Sequence, residues 1–121
     1  MRSTAMGAFL ALCAVTPAGA EGFQPVTGRE EFIELIEGRE LRHGLLGIRL
    51  SILPDGRIEG EAVRWPVTGS WHWQDGYFCR ELDWSGREIP FNCQLVERRD
   101  TRELRFTVDQ GAGESATFRL R

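Results

Sequence analysis

At 121 residues and a formal net charge of −3, the chain has room for little more than one small domain and exerts no general pull on nucleic acid. All 15 basic residues are arginine, and they are scattered rather than gathered into a stripe, which excludes an obvious phosphate-binding face. A lysine-free set is also what a GC-rich genome would write, so it carries no functional weight.

The first 20 residues read as a secretory signal peptide. Arg2 precedes an apolar run from Ala5 to Val15, and Ala18-Gly19-Ala20 supplies small residues for cleavage after Ala20. The run falls short of the roughly 20 residues needed to span a membrane. Leu12, directly before Cys13, stands where lipoprotein signals carry a small residue, so a soluble periplasmic or secreted protein is expected. Residues 21–121 then form a single domain of 101 residues with a net charge of −4 and two cysteines, Cys79 and Cys93. In an oxidising compartment this pair is expected to form a disulfide, worth on the order of 3 kcal/mol through loop closure. Metal binding is not expected, because neither His43 nor His72 stands at a ligand spacing from the cysteines.

Only one segment predicts a helix, from about Gly28 to Glu37. Thr27 and Glu30 suit a capping box, Phe32, Leu35 and Ile36 form one apolar stripe, and Gly38 suits a left-handed stop. Beyond Gly38 the period changes to two. Ile48, Leu50 and Ile52 alternate with polar residues, as do Ile58, Gly60 and Ala62, then Leu104, Phe106 and Val108, and finally Ala116, Phe118 and Leu120. Turn signals fall at 43–47, Pro54-Asp55-Gly56, Trp65-Pro66, Asp75-Gly76, 85–87, 99–102 and 110–113. Spacings near ten residues leave no room for crossover helices. The expectation is a mainly β protein: an antiparallel up-and-down barrel, or a curled sheet, of about eight strands with one short N-terminal helix.

The aromatic-rich stretch 71–94 holds the candidate ligand-facing residues Trp71, Trp73, Arg80 and Trp84. Trp71 and Trp73 share one face of a strand, with His72 on the other; the pair is expected to fill the core, with a ligand wall as the second reading. Phe78, Arg80, Leu82 and Trp84 form one parity set, and Tyr77, Cys79, Glu81 and Asp83 the other. Folding the hairpin about Gly86 sets Cys79 opposite Cys93, yet the apolar neighbours of Cys93 (Phe91, Leu95) and the acidic neighbours of Cys79 conflict. A bulge near the disulfide is the ordinary resolution; otherwise Glu81 and Asp83 point inward and need Arg80 or another arginine as partner, which would make a candidate polar site. No catalytic residue is predicted: nucleophile elbow, zinc-protease motif and P-loop are all missing from the sequence.

The string VTGSWHWQDGYFCREL, with NCQ, RF and the terminal SATFRLR, resembles a group of short exported bacterial proteins labelled dihydrodipicolinate reductase, over most of the mature chain. The label implies a nicotinamide-dependent oxidoreductase with a Rossmann domain and a second domain. A single domain of 101 residues holds neither. The one G-x-G-x-x-A match, Gly111 to Ala116, is followed by five residues that alternate like a strand, so it reads as a hairpin turn and no cofactor is expected. The residues favour a non-enzymatic binding or inhibitory module on a disulfide-stapled β scaffold, with a protein partner or a small ligand. A structural envelope protein is the second reading, and a reductase the third. Mass spectrometry of the protein from its native envelope should find a chain starting at Glu21. Retained Met1, or lipid on Cys13, would overturn the export assignment.

Overall fold

A computed structural model describes residues 22–121. The segment read as a signal peptide lies outside the described residues. After a short strand β1 (Gln24–Pro25) and a helix α1 (Arg29–Ile36), eight strands follow: β2 (Leu41–His43), β3 (Ile48–Ile52), β4 (Arg57–Ala62), β5 (Trp65–Gln74), β6 (Tyr77–Trp84), β7 (Arg87–Arg99), β8 (Glu103–Thr107) and β9 (Ser115–Leu120). Each of β2 to β9 pairs antiparallel with its sequence neighbour, and β9 returns to β2 through Leu41↔Leu120 and Arg42↔Arg119. The result is a closed eight-stranded up-and-down barrel. The ninth strand, β1, lies beside the second half of β7, where Gln24 faces Arg98 on the edge that β6 leaves.

Alternation in the sequence becomes inside and outside in the barrel. The sets Ile48-Leu50-Ile52, Ile58-Ala62, Leu104-Phe106 and Phe118-Leu120 point inward, and cross-strand charges such as Arg49 opposite Glu61 lie outward. Helix α1 closes one end. Its Phe32 is fully buried, with ring centres 5.3 Å from Trp71, 5.3 Å from Trp73 and 5.1 Å from Phe78. Leu35 and Ile36 complete the buried stripe. The Trp71 indole N–H is satisfied by the Leu53 carbonyl at 2.8 Å, so this buried ring carries no unpaired donor.

Two local expectations are corrected. The helix N-cap is Gly28 rather than Thr27, and Glu31 rather than Glu30 reaches back, accepting the Thr27 backbone N–H at 3.1 Å. Glu31 also takes Arg98 of β7 at 2.9 Å, which ties the plug to the wall. Burial raises the Glu31 carboxyl, but the Thr27 and Arg98 contacts outweigh it and hold the group below the ordinary glutamate value. The second correction concerns Trp65-Pro66, which stand inside β5. The turn is Val63-Arg64, both at positive φ, between the paired residues Ala62 and Trp65. Proline is tolerated there because it sits near the start of the strand.

Closing eight short strands requires sharp coiling, and two strand glycines permit it. A Cβ on Gly60 would collide with the Arg49 carbonyl, and one on Gly69 with the Glu81 carbonyl and the Leu82 side chain. Gly69→Ala should therefore lower stability by about 1–3 kcal/mol, as overpacked sites do. A denaturant melt with an unchanged midpoint would show that the strands give way there at no cost.

Candidate ligand cavity and its lip

The disulfide and the hairpin turn jointly set which residues of β7 look inward. Cys79 and Cys93 are bonded and directly opposite on β6 and β7, and Trp84 faces Arg87 across the Ser85-Gly86 turn. Between these fixed pairs, Arg80 faces Asn92 and Leu82 faces Ile89, so Pro90 and Phe91 together oppose Glu81 alone. This is the bulge the conflicting parities require. Glu81 and Asp83 remain exposed on the outer face. His72 lies beside the disulfide on that face, stacked on Phe91 with ring centres 5.9 Å apart.

Beyond the bulge Gln94, not Cys93 or Leu95, shares the inward face with Phe78, Arg80 and Leu82. Here the barrel interior opens into a cavity of ≈ 530 Å³. It occupies the end away from α1, with walls such as Ile48, Leu50, Val67, Leu82, Ile89 and Phe118. The side chains at this end are smaller: Ala62 and Ala116 stand where the plugged end has aromatic rings. Interiors otherwise close-pack, with few voids larger than a water molecule, so this is a binding-sized space rather than a packing defect.

Among the described residues, Gln94 at depth and the half-buried Arg80 break the apolar lining, with Glu114 and Ser115 at its exposed edge. Gln94 is 6% exposed, and among the described residues nothing hydrogen-bonds its side chain. Arg80 is half-buried, and its Nη1 donates to the Pro90 carbonyl at 2.8 Å, a group turned out of the ladder by the bulge. No carboxylate among the described residues pairs with it. Burial alone pushes the Arg80 guanidinium below the ordinary arginine value, and it remains a cation at neutral pH. Among the described residues, Glu114 is the one carboxylate on the lining, and it is exposed.

The lip of the cavity is apolar and exposed. Leu46 of the β2–β3 loop and Val63 of the β4–β5 hairpin line the cavity, and with their neighbours Leu45 and Trp65 they make up four of the five large hydrophobics that face solvent among the described residues; Leu45 is 90% exposed. The two loops are joined by the Val63 N–H bond to the Gly47 carbonyl at 3.0 Å. Val63 takes φ +50°, a strained backbone for a β-branched residue.

Of the four candidate ligand-facing residues, Arg80 and Trp84 line the cavity, and the Trp84 indole is anchored on the Ala62 carbonyl at 3.0 Å. Trp71 and Trp73 do not line it; they pack against Phe32 at the plugged end. Gln94 was not among the candidates. Its signal lay in the register: a bulge between the turn and the disulfide moves even-numbered β7 residues to the inner face. The Gly111 to Ala116 match forms the link from a 3-10 turn, Asp109–Gly111, into β9, with no helix following it. Among the described residues, no group of three His, Cys, Asp or Glu side chains is arranged to hold a metal ion, and no helix is long and apolar enough to cross a membrane.

Compared with family models, curated proteins and solved structures, the chain matches none. Replacing an unpaired buried amide with an apolar side chain of similar length relieves a desolvation penalty. Gln94→Met should raise unfolding stability by about 1–2 kcal/mol. A loss of stability on calorimetry would show that the amide is paired in the folded protein.

Proposed function

We propose that this protein is an exported, non-enzymatic binding module that holds a small, largely apolar molecule in the barrel lumen. The observation that carries this reading is the ≈ 530 Å³ cavity beneath an exposed apolar lip. A volume in the range of about 300–1,000 Å³, apolar walls and a few convergent polar groups are what small-molecule sites share. Export is supported by the Cys79–Cys93 bond, which persists in oxidising compartments.

An inhibitory role is the second reading, and the lip favours it. Leu45, Leu46, Val63 and Trp65 form an apolar rim of the kind that marks interaction surfaces. The two readings separate on where binding is blocked. A side chain grown into the lumen disables the first, and one changed on the rim disables the second.

Titration of refolded, ligand-stripped protein with the neutral probe N-phenyl-1-naphthylamine should give saturable fluorescence at micromolar probe. Ala116→Trp, which fills the lumen from β9, should weaken that binding by about tenfold or more, and Ala62→Phe should act in the same direction from β4. Saturable binding that survives both changes, or none by the wild-type protein, would remove the lumen reading. Capture of a specific hydrolase, lost on Leu45→Ser with Trp65→Ser, would favour inhibition.

A further inference from the structure

The apolar walls explain retention of a greasy molecule but not the two polar side chains at depth. A cation and an amide set into an apolar lumen weaken it as a simple hydrophobic pocket, because each must be desolvated. Their arrangement is specific. Arg80 and Gln94 lie on adjacent strands on the same inner face, one diagonal step apart, since Arg80 faces Asn92 and Gln94 is the next inward residue of β7. Such diagonal neighbours stand roughly 7–8 Å apart at the backbone, within joint reach of one small group between their side chains.

We infer that the lumen takes an amphiphile with a carboxylate head, bound head-first, the head on Arg80 and Gln94 and the tail toward Leu82, Trp84 and Phe118. The inference rests on the lumen-binding reading above and names its ligand class. Three features of the site point to a monoanion. Arg80 has one donor engaged by Pro90, which fixes the guanidinium and leaves its other N–H groups for a planar, two-oxygen partner. The Gln94 amide adds a neutral donor at the deeper position, where it can share the same oxygens. With one cation on the lining and no carboxylate paired to it among the described residues, a single negative charge is balanced, and a dianion or a second cation is not. Glu114, exposed at the lining's edge, disfavours an anionic group there and so sets the direction of entry: charge inward, chain outward.

The orientation also follows from the walls. The side chains on the mouth side of Arg80 along β6, Leu82 and Trp84, are apolar, as are Ile89 of β7 and Phe118 of β9. A tail placed outward meets these surfaces and then the Leu45–Val63 lip. A tail placed inward would meet the Phe32 plug, which already fills that end.

The test is calorimetric titration of ligand-stripped wild-type protein with decanoate and with 1-decanol, which share a chain and differ at the head. Decanoate should bind at least about tenfold more tightly, the effect of one charge-assisted pair. Arg80→Gln should remove most of that preference while leaving decanol affinity within about twofold, and Gln94→Met should reduce the preference in part. Should Arg80→Gln fail to fold, Arg80→Lys keeps the charge, loses the fork and should still weaken decanoate severalfold. Equal binding of the two ligands would overturn head selection and leave the lumen reading standing. Binding of neither would sink the lumen reading, and this inference with it. A decanoate preference that survives changes at both Arg80 and Gln94 would place the head elsewhere and overturn the assignment.

Discussion

Everything inside this barrel depends on one unequal count between two fixed points. The disulfide sets Cys79 opposite Cys93, and the hairpin sets Trp84 opposite Arg87. Five steps separate the two points on β6 and six on β7, so one residue must be absorbed. The bulge at Pro90-Phe91 absorbs it, and a one-residue change of register exchanges the faces of a strand. Without it, Cys93 and Leu95 would look inward. With it, Gln94 and Val96 do, and Val96 is among the fully buried side chains beneath α1. The same bulge frees the Pro90 carbonyl that fixes Arg80. A covalent staple on the outer face thus determines the chemistry of the inner one.

The lumen is divided by residue size rather than by any wall. Toward α1 the inward positions carry Trp71, Phe78 and Phe106, whose rings meet Phe32 edge-on or tilted and leave no room for a guest. Away from α1 two of the inward positions are Ala62 and Ala116, and the space their side chains do not fill is the cavity. An eight-stranded barrel is wide enough to be filled by side chains or to hold one small ligand. This chain does the first at one end and leaves room for the second at the other. The helix therefore contributes stability mainly by plugging: it turns an open cylinder into a cup with a packed base.

Much of the fold was legible in the sequence because period-two alternation and glycine turns act locally. Ile48-Leu50-Ile52 and Leu104-Phe106 needed no partner to declare an inner face, and Asp75-Gly76 and Ser85-Gly86 form the hairpins their composition demands. Val63-Arg64 was illegible for the opposite reason. Neither residue favours positive φ, so the turn signal was assigned to the neighbouring Trp65-Pro66. The helix cap failed because Glu31 serves two partners, and one of them, Arg98, is 67 residues away. The candidate site was legible by halves. Parity grouped Arg80 with Leu82 and Trp84, but which face held a cavity and which tryptophans were core depended on where α1 docks. Gln94 required placing the bulge on β7 to the residue, and the sequence required only that a bulge exist.

Three departures from local rules can be read together. A β-branched residue holds a left-handed turn at Val63, a cation without a carboxylate partner among the described residues sits at Arg80, and an amide without a partner is buried at Gln94. The strained backbone at Val63 and the unsatisfied amide at Gln94 each cost about 1–3 kcal/mol. Scattered over a small domain, such features would be ordinary imperfections. Other non-glycine residues at positive φ, such as Ser85, Asp100 and Gln110, sit in turns elsewhere, but Val63, Arg80 and Gln94 all belong to the lining of one cavity, which the plugged end of the same barrel lacks. Local consistency is what a foldable sequence maintains by default, and it is given up where another demand competes with stability. At the Phe32 end the rings are packed and the Trp71 donor is satisfied, so stability is the only demand visible there. At the lip and in the lumen the packing is open instead: an exposed apolar rim, apolar walls, and two polar side chains that no carboxylate of the described residues engages, which is the arrangement the proposed occupant would use.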